Sequence, residues 1–374
     1  RVTDRKDWLK NYDPHVEPDF SPKVPITDFI NKEFIHFSNY DNVRSISCLC
    51  DGLKPSQRKV LFCAFEKRNL KNEMKVAQFG AAVAETTGYH HGEVSLFGTI
   101  INMAQNFIGS NNINLFQPVG QFGSRFMNGQ DSASPRYIFT KLSDITQIIY
   151  NPLDTKLLTK LKDDDGSFIE QEWYMPIVPI CLVNGTIGIG TGFSTGLPSF
   201  NPTDIVRNIR LMMKNEPTEE MTPWFRGFSR NSAIKKIGEN RFVIKGRYSA
   251  DTTNDILHIT ELPIGISTNA YKEFLTSLLI TKEKKPAKEK EGKTSPTAKR
   301  ATSTSPYKIK DFRNNSGGNK VDFTLFFEKD TLCQCLVDSA TPDKDGLTTF
   351  EKNLKLGTTL SFPGKMVLRD REGS

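Results

Sequence analysis

The sequence predicts an α+β fold in which a winged-helix domain precedes a second domain of mixed helices and strands. Three consecutive segments before residue 108 repeat apolar residues at helical spacing. A stretch rich in Gly, Asn, Gln and Ser follows at 111–136, with only short strand-like pieces. Beyond residue 172, short strand-like segments dominate. Helix, short turn, helix and a long loop are the order expected of a helix-turn-helix followed by a wing.

The three helical segments can be placed in order. The turn D-G-L-K at 51–54 leads to Pro55, a residue favoured at the first position of a helix, and apolar residues then recur through Phe65. An Ala-rich amphipathic helix is predicted over 76–85, and T-T-G at 86–88 ends it. A third helix is predicted over 92–107.

The second half begins after the polar turn D-D-D-G at 163–166. An apolar strand is predicted over 175–183, running into the glycine-rich stretch 184–192, and a helix over 202–215. R-N-N-S-G-G-N-K at 313–320 has the composition of a turn between strands. Further strands are predicted over 241–245, 255–260 and 322–327.

Composition excludes several classes of protein. In 374 residues no apolar run approaches the roughly 20 residues of a membrane span, and the first ten residues hold no apolar stretch for a secretory signal. We therefore expect no membrane partner. The six cysteines lack the second C-x-x-C or His pair of a zinc site, which predicts buried free thiols.

The formal charge of +7 is concentrated in two places. Residues 282–300 hold eight basic and three acidic side chains, and residues 44–141 hold eleven and six. Residues 282–305 mix Lys, Glu, Pro, Ser and Thr with almost no apolar side chain, so they are predicted to be a flexible insertion. The basic excess within 44–141 is the one predicted to form a structured surface.

Arg136 and Tyr137 stand side by side at the end of the glycine-rich loop. A tyrosine in such a place commonly caps a helix or packs its ring. The alternative is a phenolic nucleophile, which needs a cation or base because a tyrosine hydroxyl ordinarily titrates near ~10. An adjacent Arg supplies a fork of donors that matches phosphate oxygens.

Eight blocks resemble, in the same order, the breakage-rejoining region of eukaryotic-type type II DNA topoisomerases. They are S-N-x-D-N-x-R-S-I at 38–46, D-G-L-K-P-x-Q-R-K-V at 51–60, K-V-A-Q at 75–78, Y-H-H-G-E at 89–93, Q-N-F-x-G-S-N-N at 105–112, G-Q-F-G at 120–123, S-A-S-P-R-Y-I-F-T at 132–140 and L-V-N-G-T-x-G-I-G-T-G at 182–192. Ser47 and Ser56 depart from the family pattern, which usually has Pro and Gly there.

The resemblance implies a role for each matching residue. Tyr137 would be the nucleophile that forms a transient phosphotyrosyl link, with Arg136 as its transition-state partner and His91 as an active-site histidine. Ile189 would be an apolar wedge between base pairs, flanked by glycines that let the backbone approach the minor groove. The residues implied to contact DNA are Arg44, Lys54, Arg58, Lys59, His90 and Asn184.

The resemblance also implies Mg²⁺, ATP, double-stranded DNA and a homodimer for an intact enzyme in the nucleus, with a mitochondrial DNA compartment as the alternative. The family's metal block E-G-D-S-A, which belongs to a separate Toprim domain, is not in the sequence, so metal and nucleotide are expected to bind outside this chain. We therefore expect a fragment inactive alone. Its predicted parts are a lead-in at 1–32, the winged-helix domain at 33–172, a tower domain at 173–364 and the start of a coiled-coil arm at 365–374.

Two other functions remain open at this point. A non-enzymatic architectural protein that bends DNA would also use a winged helix and an apolar tip, but it would give Arg136 and Tyr137 no task. A bacterial-type gyrase subunit is a nearer alternative, which the Y-H-H-G-E and S-P-R-Y-I-F-T blocks disfavour.

Overall fold

A computed structural model describes residues 1–17, 20–67, 70–163, 165–279, 307–363 and 366–370. The chain forms two compact units. The first comprises Arg1–Gly123, Gly129–Phe228 and Ser361–Ser374, and the second comprises Ser124–Asn128 and Ser229–Leu360. The predicted insertion at 282–305 lies outside the described residues, and the domain limits at 32, 172 and 364 stay a prediction.

The first unit is mostly helical at its start. A π-helical segment, Phe29–Phe34, joins its second and third α-helices. The α-helices are α1 (Val2–Leu9), α2 (Ile26–Asp28), α3 (Ile35–Ser45), α4 (Pro55–Glu66), α5 (Val76–Thr87), α6 (Glu93–Ala104), α7 (Asp144–Ile149), α8 (Pro152–Thr155), α9 (Ile180–Asn184) and α10 (Pro202–Met213).

Helices α4, α5 and α6 are the three predicted from apolar spacing, so the helix-turn-helix is confirmed. Pro55 is the first residue of α4, as predicted. Helix α5 ends at Gly88, whose left-handed backbone (φ 57°) closes the helix without the steric cost of a Cβ atom. Helix α6 stops at Ala104, three residues earlier than predicted.

The wing is a three-stranded antiparallel sheet of order β1-β3-β2, made of β1 (Met74–Lys75), β2 (Phe116–Val119) and β3 (Phe139–Leu142). Phe116 pairs with Leu142 and Val119 with Phe139. The buried faces of α4, α5 and α6 share one core with this sheet. The loop from β2 to β3, residues 120–138 and here called the wing loop, is therefore anchored at both ends to this core.

The predicted strand over 175–183 is wrong. Its start makes only an isolated bridge between Tyr150 and Pro176, and its end is helix α9. Pro176 and Pro179 have no N–H to donate to a sheet, and Pro179 is the N-cap residue of α9, which begins at Ile180. The strand lies after the helix instead, as the hairpin β6 (Thr186–Ile189) and β7 (Ser194–Leu197). A second hairpin, β4 (Lys160–Lys162) and β5 (Phe168–Gln171), precedes it.

The second unit contains the other predicted strands. The strands are β8 (Lys235–Gly238), β9 (Arg241–Lys245), β10 (Arg247–Asp251), β11 (Ile256–Glu261), β12 (Asp311–Asn314), β13 (Phe323–Phe326) and β14 (Gly357–Ser361). They form a four-stranded sheet of order β10-β11-β13-β12 and a three-stranded sheet of order β14-β9-β8. The helices are α11 (Thr268–Leu278), α12 (Thr331–Asp338) and α13 (Thr349–Asn353), and the α+β class is thereby confirmed.

Cysteine burial departs from the prediction at two positions. Cys48, Cys63, Cys181 and Cys335 are buried, but Cys333 is exposed on α12 and Cys50 is partly exposed. Among the described residues, no helix is both long and apolar enough to span a membrane.

Candidate functional site

Tyr137 projects from the end of the wing loop, and 66% of its surface is exposed. The loop is fixed on both sides of it. The Val76 N–H donates to the Ile138 carbonyl (3.0 Å) and the Ala77 N–H donates to the Pro135 carbonyl (3.1 Å). These N–H groups belong to the first turn of α5, which has no carbonyl of its own helix to receive them. Helix α5 thus holds the tyrosine backbone while the ring faces solvent.

Arg136 is also exposed, and its guanidinium carbon lies 5.0 Å from the centre of the Tyr137 ring. A guanidinium over an aromatic face is attracted by the ring and keeps its donors available at the edge. Within the ranges that the structure describes, neither the Arg136 guanidinium nor the Tyr137 hydroxyl has a hydrogen-bond partner. The pair therefore presents a cation and a phenol to an incoming anion.

A side chain from the end of α6 supports the rest of the wing loop. The amide nitrogen of Gln105 donates to the carbonyls of Phe122 (2.9 Å) and Gly129 (3.1 Å). Gly129 has φ 85° and packs so closely on Gln105 that a Cβ atom would overlap the amide. The glycines of this loop therefore have a packing role beyond flexibility.

A second group of predicted residues lines a cavity of about 470 Å³ between α3, the start of α4 and the turn after α5. Five of the ten predicted site residues meet here: Arg44, Lys54, Lys59, His90 and His91. Tyr137 and Arg136 are not among the lining residues. The structure therefore divides the predicted site into a tyrosine loop and a separate basic cavity.

His91 lies at the mouth of this cavity. Its Nε2 is 2.5 Å from the Tyr40 hydroxyl, and its ring contacts the rings of Tyr40, Tyr89 and His90 at centroid distances of 5.6, 5.3 and 5.7 Å. Burial and the positive neighbours Arg44, His90 and Lys59 lower the pKa of His91. The imidazole is therefore held in its neutral form more strongly than an isolated histidine.

Two cations of the cavity, Arg44 and Lys54, differ in their burial. Arg44 is exposed, with its guanidinium 5.8 Å from the Tyr40 ring centre. Lys54 is half-buried, its Nζ donates to the Ile187 carbonyl (2.8 Å), and burial lowers its pKa. Both ammonium and guanidinium retain donors for a phosphate, because neither forms an ion pair within the described residues.

Arg58 and Lys59 each form an ion pair with a buried carboxylate of the first unit. The Arg58 side chain is 3% exposed and forms an ion pair with buried Asp51 (Nε to Oδ2, 2.8 Å). Burial alone would lower the pKa of Arg58, but the bond to Asp51 and its charge raise it overall. Lys59 Nζ pairs with buried Glu170 (2.9 Å) and donates to the Thr87 carbonyl at the end of α5 (2.7 Å). In this structure both side chains support the cavity, and neither is free to approach DNA.

Asn184 is likewise engaged inside the first unit. Its amide oxygen accepts from the Ile113 N–H (2.9 Å) and its amide nitrogen donates to the Ile113 carbonyl (2.8 Å). This two-way pairing joins the end of α9 to the segment before β2. The amide is therefore fixed as a clamp in the region where the resemblance implies a DNA contact.

The β6–β7 hairpin presents Ile189, which is 78% exposed. Ile187, two residues earlier, is 73% exposed, whereas Gly188 between them is buried. Because alternate residues of a strand face opposite sides, the two isoleucines share one face. The pattern Ile-Gly-Ile in the sequence could have revealed Ile187 as part of the apolar tip.

The glycines of this hairpin pack on α3, and their minor-groove role stays a prediction. A Cβ atom on Gly188 would overlap the Ser45 carbonyl, and one on Gly190 would overlap the Asn42 side chain. The Thr191 hydroxyl donates to Asp41 (3.1 Å), and Asn42 donates to the Thr191 carbonyl (3.1 Å). Helix α3 therefore backs the hairpin and makes the isoleucine tip rigid.

Sequence reasoning missed the partners of the predicted residues. Tyr40 lies 51 residues from His91, and Glu170 lies 111 residues from Lys59, so no local spacing joins either pair. Asp51 lies only seven residues from Arg58 in the same block, and this pair is the one that the sequence could have revealed. Across the described residues, no group of three or more His, Cys, Asp or Glu side chains could hold a metal ion.

Comparisons with known proteins place these features in context. A family model for the A-type subunit of DNA gyrase/topoisomerase IV matches residues 44–333, and one described as C-terminal associated domain of TOPRIM matches residues 1–42. The chain is 51% identical to DNA topoisomerase 2 of Candida albicans over 279 residues, covering 74% of this chain and 19% of that protein. It is 44% identical to human DNA topoisomerase 2-alpha over 386 residues, covering all of this chain and 23% of that protein.

A solved structure is similar over almost the whole chain. The DNA-binding, cleavage and re-ligation domain of Plasmodium falciparum topoisomerase II superposes with a TM-score of 0.81 at 41% sequence identity, covering 99% of this chain and 46% of that one. The chain spans about a fifth of the length of the curated relatives it matches.

Proposed function

Because this chain belongs to the DNA gyrase/topoisomerase IV family and is similar to eukaryotic type II DNA topoisomerases, we propose that it is the DNA-binding and cleavage-rejoining part of an ATP-dependent type II topoisomerase. The observation that carries the proposal is the exposed Arg136–Tyr137 pair on a loop fixed by the first turn of α5. The phenol hydroxyl and the guanidinium are both exposed and have no hydrogen-bond partner within the described residues, so a phosphate can approach both groups at once.

The proposed reaction is a transesterification. The Tyr137 oxygen attacks a DNA phosphorus, and an O–P bond to the tyrosine replaces the O–P bond to one deoxyribose. The phenol proton leaves to solvent, and the released sugar oxygen takes up a proton. Since one phosphodiester replaces another, the reverse attack by the sugar hydroxyl rejoins the strand without an added energy source.

Arg136 has a defined part in this step. Negative charge builds on the non-bridging phosphate oxygens as the tyrosine attacks, and a guanidinium beside the ring stabilises that charge with two parallel hydrogen bonds. Stacking on Tyr137 keeps the guanidinium next to the nucleophile before DNA arrives. Its contribution is therefore expected to be larger in the transition state than in the bound state.

Duplex DNA would be held by the basic cavity and the hairpin. Arg44 and Lys54 have donors available for backbone phosphates, and phosphate contacts position a duplex without reading its sequence. His90 and His91 line the same cavity and complete the proposed phosphate-facing surface. Arg58 and Lys59 are proposed to act indirectly, because their interior contacts hold α4 and the turn after α5 in place.

The hairpin tip would bend the duplex. Ile187 and Ile189 offer two adjacent apolar side chains, and an apolar wedge can unstack a base step at a cost of a few kcal/mol. Lys54 connects the two parts of the surface, because it lines the cavity and donates to the Ile187 carbonyl. Bending and phosphate binding are therefore proposed to occur on one continuous face of the first unit.

The intact enzyme is proposed to be a homodimer that cuts both strands, passes a second duplex through the break, and uses ATP and Mg²⁺. The described residues do not offer a metal-binding cluster, so no step of the chemistry is assigned to a metal held by this chain. The proposed location is the nucleus, with a mitochondrial DNA compartment as the alternative.

Substitution of Tyr137 by Phe in the full-length protein tests the proposal. The ring and its stacking with Arg136 are kept, so DNA should bind as before, while strand cleavage and covalent protein–DNA adducts should disappear. Tyr12→Phe is a matched control, because it removes a partly exposed hydroxyl from the first unit that does not line the basic cavity. Strand cleavage that survives in the Tyr137→Phe protein would show that Tyr137 is not the nucleophile. DNA bending without any cleavage by the unsubstituted full-length protein would favour the architectural DNA-bending function instead.

A further inference from the structure

The strongest unexplained contact in the basic cavity is between Tyr40 and His91. Tyr40 occupies the variable third position of the S-N-x-D-N block, so the resemblance assigns it no role. Its hydroxyl lies 2.5 Å from His91 Nε2, across 51 residues of sequence. The contact joins α3, which backs the isoleucine hairpin, to the turn that follows α5.

We propose that Tyr40 is a positioning residue for His91: its hydroxyl donates to Nε2 and keeps the imidazole in the neutral form that carries its proton on Nδ1. The inference that His91 then meets a DNA phosphate rests on the proposed function. The hydrogen bond itself does not depend on it.

Donor and acceptor strength fix the direction of this hydrogen bond. A phenol O–H is a good donor, and the unprotonated ring nitrogen of a neutral imidazole is a better acceptor than a phenol oxygen. If His91 were charged, Nε2 would carry a proton and the direction would reverse. The positive side chains around the ring oppose that charge, since burial, Arg44, His90 and Lys59 all lower the pKa of His91.

The remaining charged and titratable groups of the cavity come from every element around it, and both signs are present. Besides Tyr40, these groups are Asp41, Arg44, Lys54, Lys59, Tyr89, His90 and Asp163. Lys59 is already paired with Glu170, and the Tyr89 hydroxyl donates to Ser95 (3.1 Å). Tyr40 is therefore the group whose hydroxyl directly contacts His91.

The arrangement links phosphate binding to protonation. With Tyr40 donating to Nε2, that nitrogen has no proton to give to a phosphate oxygen. A phosphate that replaces the Tyr40 hydroxyl would favour the imidazolium, so His91 would take up a proton from solvent. Tyr40 thereby lowers the pH at which His91 becomes a phosphate-binding cation.

Nuclear magnetic resonance of the five histidines, labelled at the ring carbon and nitrogens, tests this directly in the 374-residue chain. The ring nitrogen shifts should show the Nδ1–H form of His91 at neutral pH. In Tyr40→Phe, the loss of one hydrogen bond to the neutral form should raise the His91 pKa by about 0.5 to 1 unit. An unchanged or lowered pKa, or a predominant Nε2–H form in the unsubstituted protein, would overturn the proposal.

Tyr89→Phe is the matched control. Its ring also touches His91 (centroid distance 5.3 Å), but its hydroxyl bonds elsewhere, so the His91 pKa should stay the same. An equal rise in both variants would show a general loosening of the cavity and would also overturn the proposal.

Addition of a short DNA duplex separates this proposal from the proposed function. A rise in the His91 pKa on binding, in the unsubstituted chain, indicates that a phosphate reaches the cavity. If the duplex leaves His91 unchanged while Tyr40→Phe still raises its pKa in free protein, the DNA-facing role of the cavity fails and the positioning role of Tyr40 stands.

Discussion

Substitution of Arg58 and of Arg44 should have opposite consequences, although both residues match basic positions of the family blocks. Arg58 is buried against Asp51, whereas Arg44 is exposed at the cavity. We therefore predict that Arg58→Ala lowers the free energy of unfolding and leaves the salt dependence of DNA binding unchanged. Arg44→Ala should leave the free energy of unfolding nearly unchanged and reduce the salt dependence of DNA binding.

The structure sets the size of each effect. Removing Arg58 leaves the Asp51 carboxylate buried with only the N–H groups of Leu53 (2.9 Å) and Tyr174 (3.0 Å) as partners. Breaking a buried ion pair in this way costs about 3–5 kcal/mol, and the two remaining N–H donors favour the lower end. Removing exposed Arg44 should change stability by less than about 0.5 kcal/mol. It should reduce the slope of log K against log salt by about 0.9, the amount expected for one phosphate contact.

Urea unfolding and fluorescence anisotropy with a labelled duplex at several salt concentrations measure the two quantities. Asp51→Asn combined with Arg58→Gln is the control, because it removes both charges and should recover part of the lost stability. An Arg58→Ala protein of normal stability with a reduced salt slope would refute the assignment of Arg58 to the interior.

Three further predictions concern the hairpin and the second unit. Ile187→Ala and Ile189→Ala should each reduce the bend of bound DNA, measured by energy transfer between dyes at the duplex ends, because each truncates the shared apolar face. Gly188→Ala should destabilise the first unit in thermal unfolding, because its Cβ atom would overlap a backbone carbonyl of α3. Asp343→Asn should lower stability at pH 7 and much less at pH 2, because the bond from Lys352 and the backbone N–H groups of the α12–α13 loop hold the pKa of Asp343 at about 2. Since that pKa is depressed on folding, the stabilisation is fully present above the unfolded value of ~3.9 and is lost as the pH falls through the folded value of about 2.

The hairpin predictions have controls within the chain. Ile148→Ala removes an exposed isoleucine outside the hairpin and should leave the DNA bend unchanged. Gly98→Ala adds a methyl group inside α6 where no atom lies within 4 Å, so stability should stay the same or rise by up to about 1 kcal/mol. Bending that survives both hairpin substitutions, or a Gly188→Ala protein as stable as Gly98→Ala, would contradict the corresponding reasoning.

The helix-turn-helix was predictable because its signals are local. Helical spacing of apolar residues defines α4, α5 and α6, Pro55 marks one start, and Gly88 marks one end. The strand predicted over 175–183 failed because apolar content alone does not distinguish a strand from a short helix. Pro176 and Pro179 carried the missing information, since neither can donate a hydrogen bond to a sheet.

The candidate site was predictable in its residue types and less so in their use. Local pattern indicated Arg136 and Tyr137, and the structure exposes both. Arg58 and Lys59 appear in the same block as Lys54, yet carboxylates hold both in the interior: Asp51 lies seven residues from Arg58, and Glu170 lies 111 residues from Lys59. A single sequence contains no local signal for the pair with Glu170. The nearness of Asp51 to Arg58 and the alternation of Ile187, Gly188 and Ile189 were visible in the sequence.

The proposal that Tyr137 is the nucleophile is best tested by identifying the residue that becomes covalently bound to DNA. The full-length protein should be allowed to react with labelled duplex DNA, denatured rapidly, digested with protease, and analysed by mass spectrometry for a peptide that retains a nucleotide. We expect one such peptide, with the phosphate on the oxygen of Tyr137. A nucleotide attached to another residue would contradict it, as would the absence of an adduct under conditions where both strands are cut.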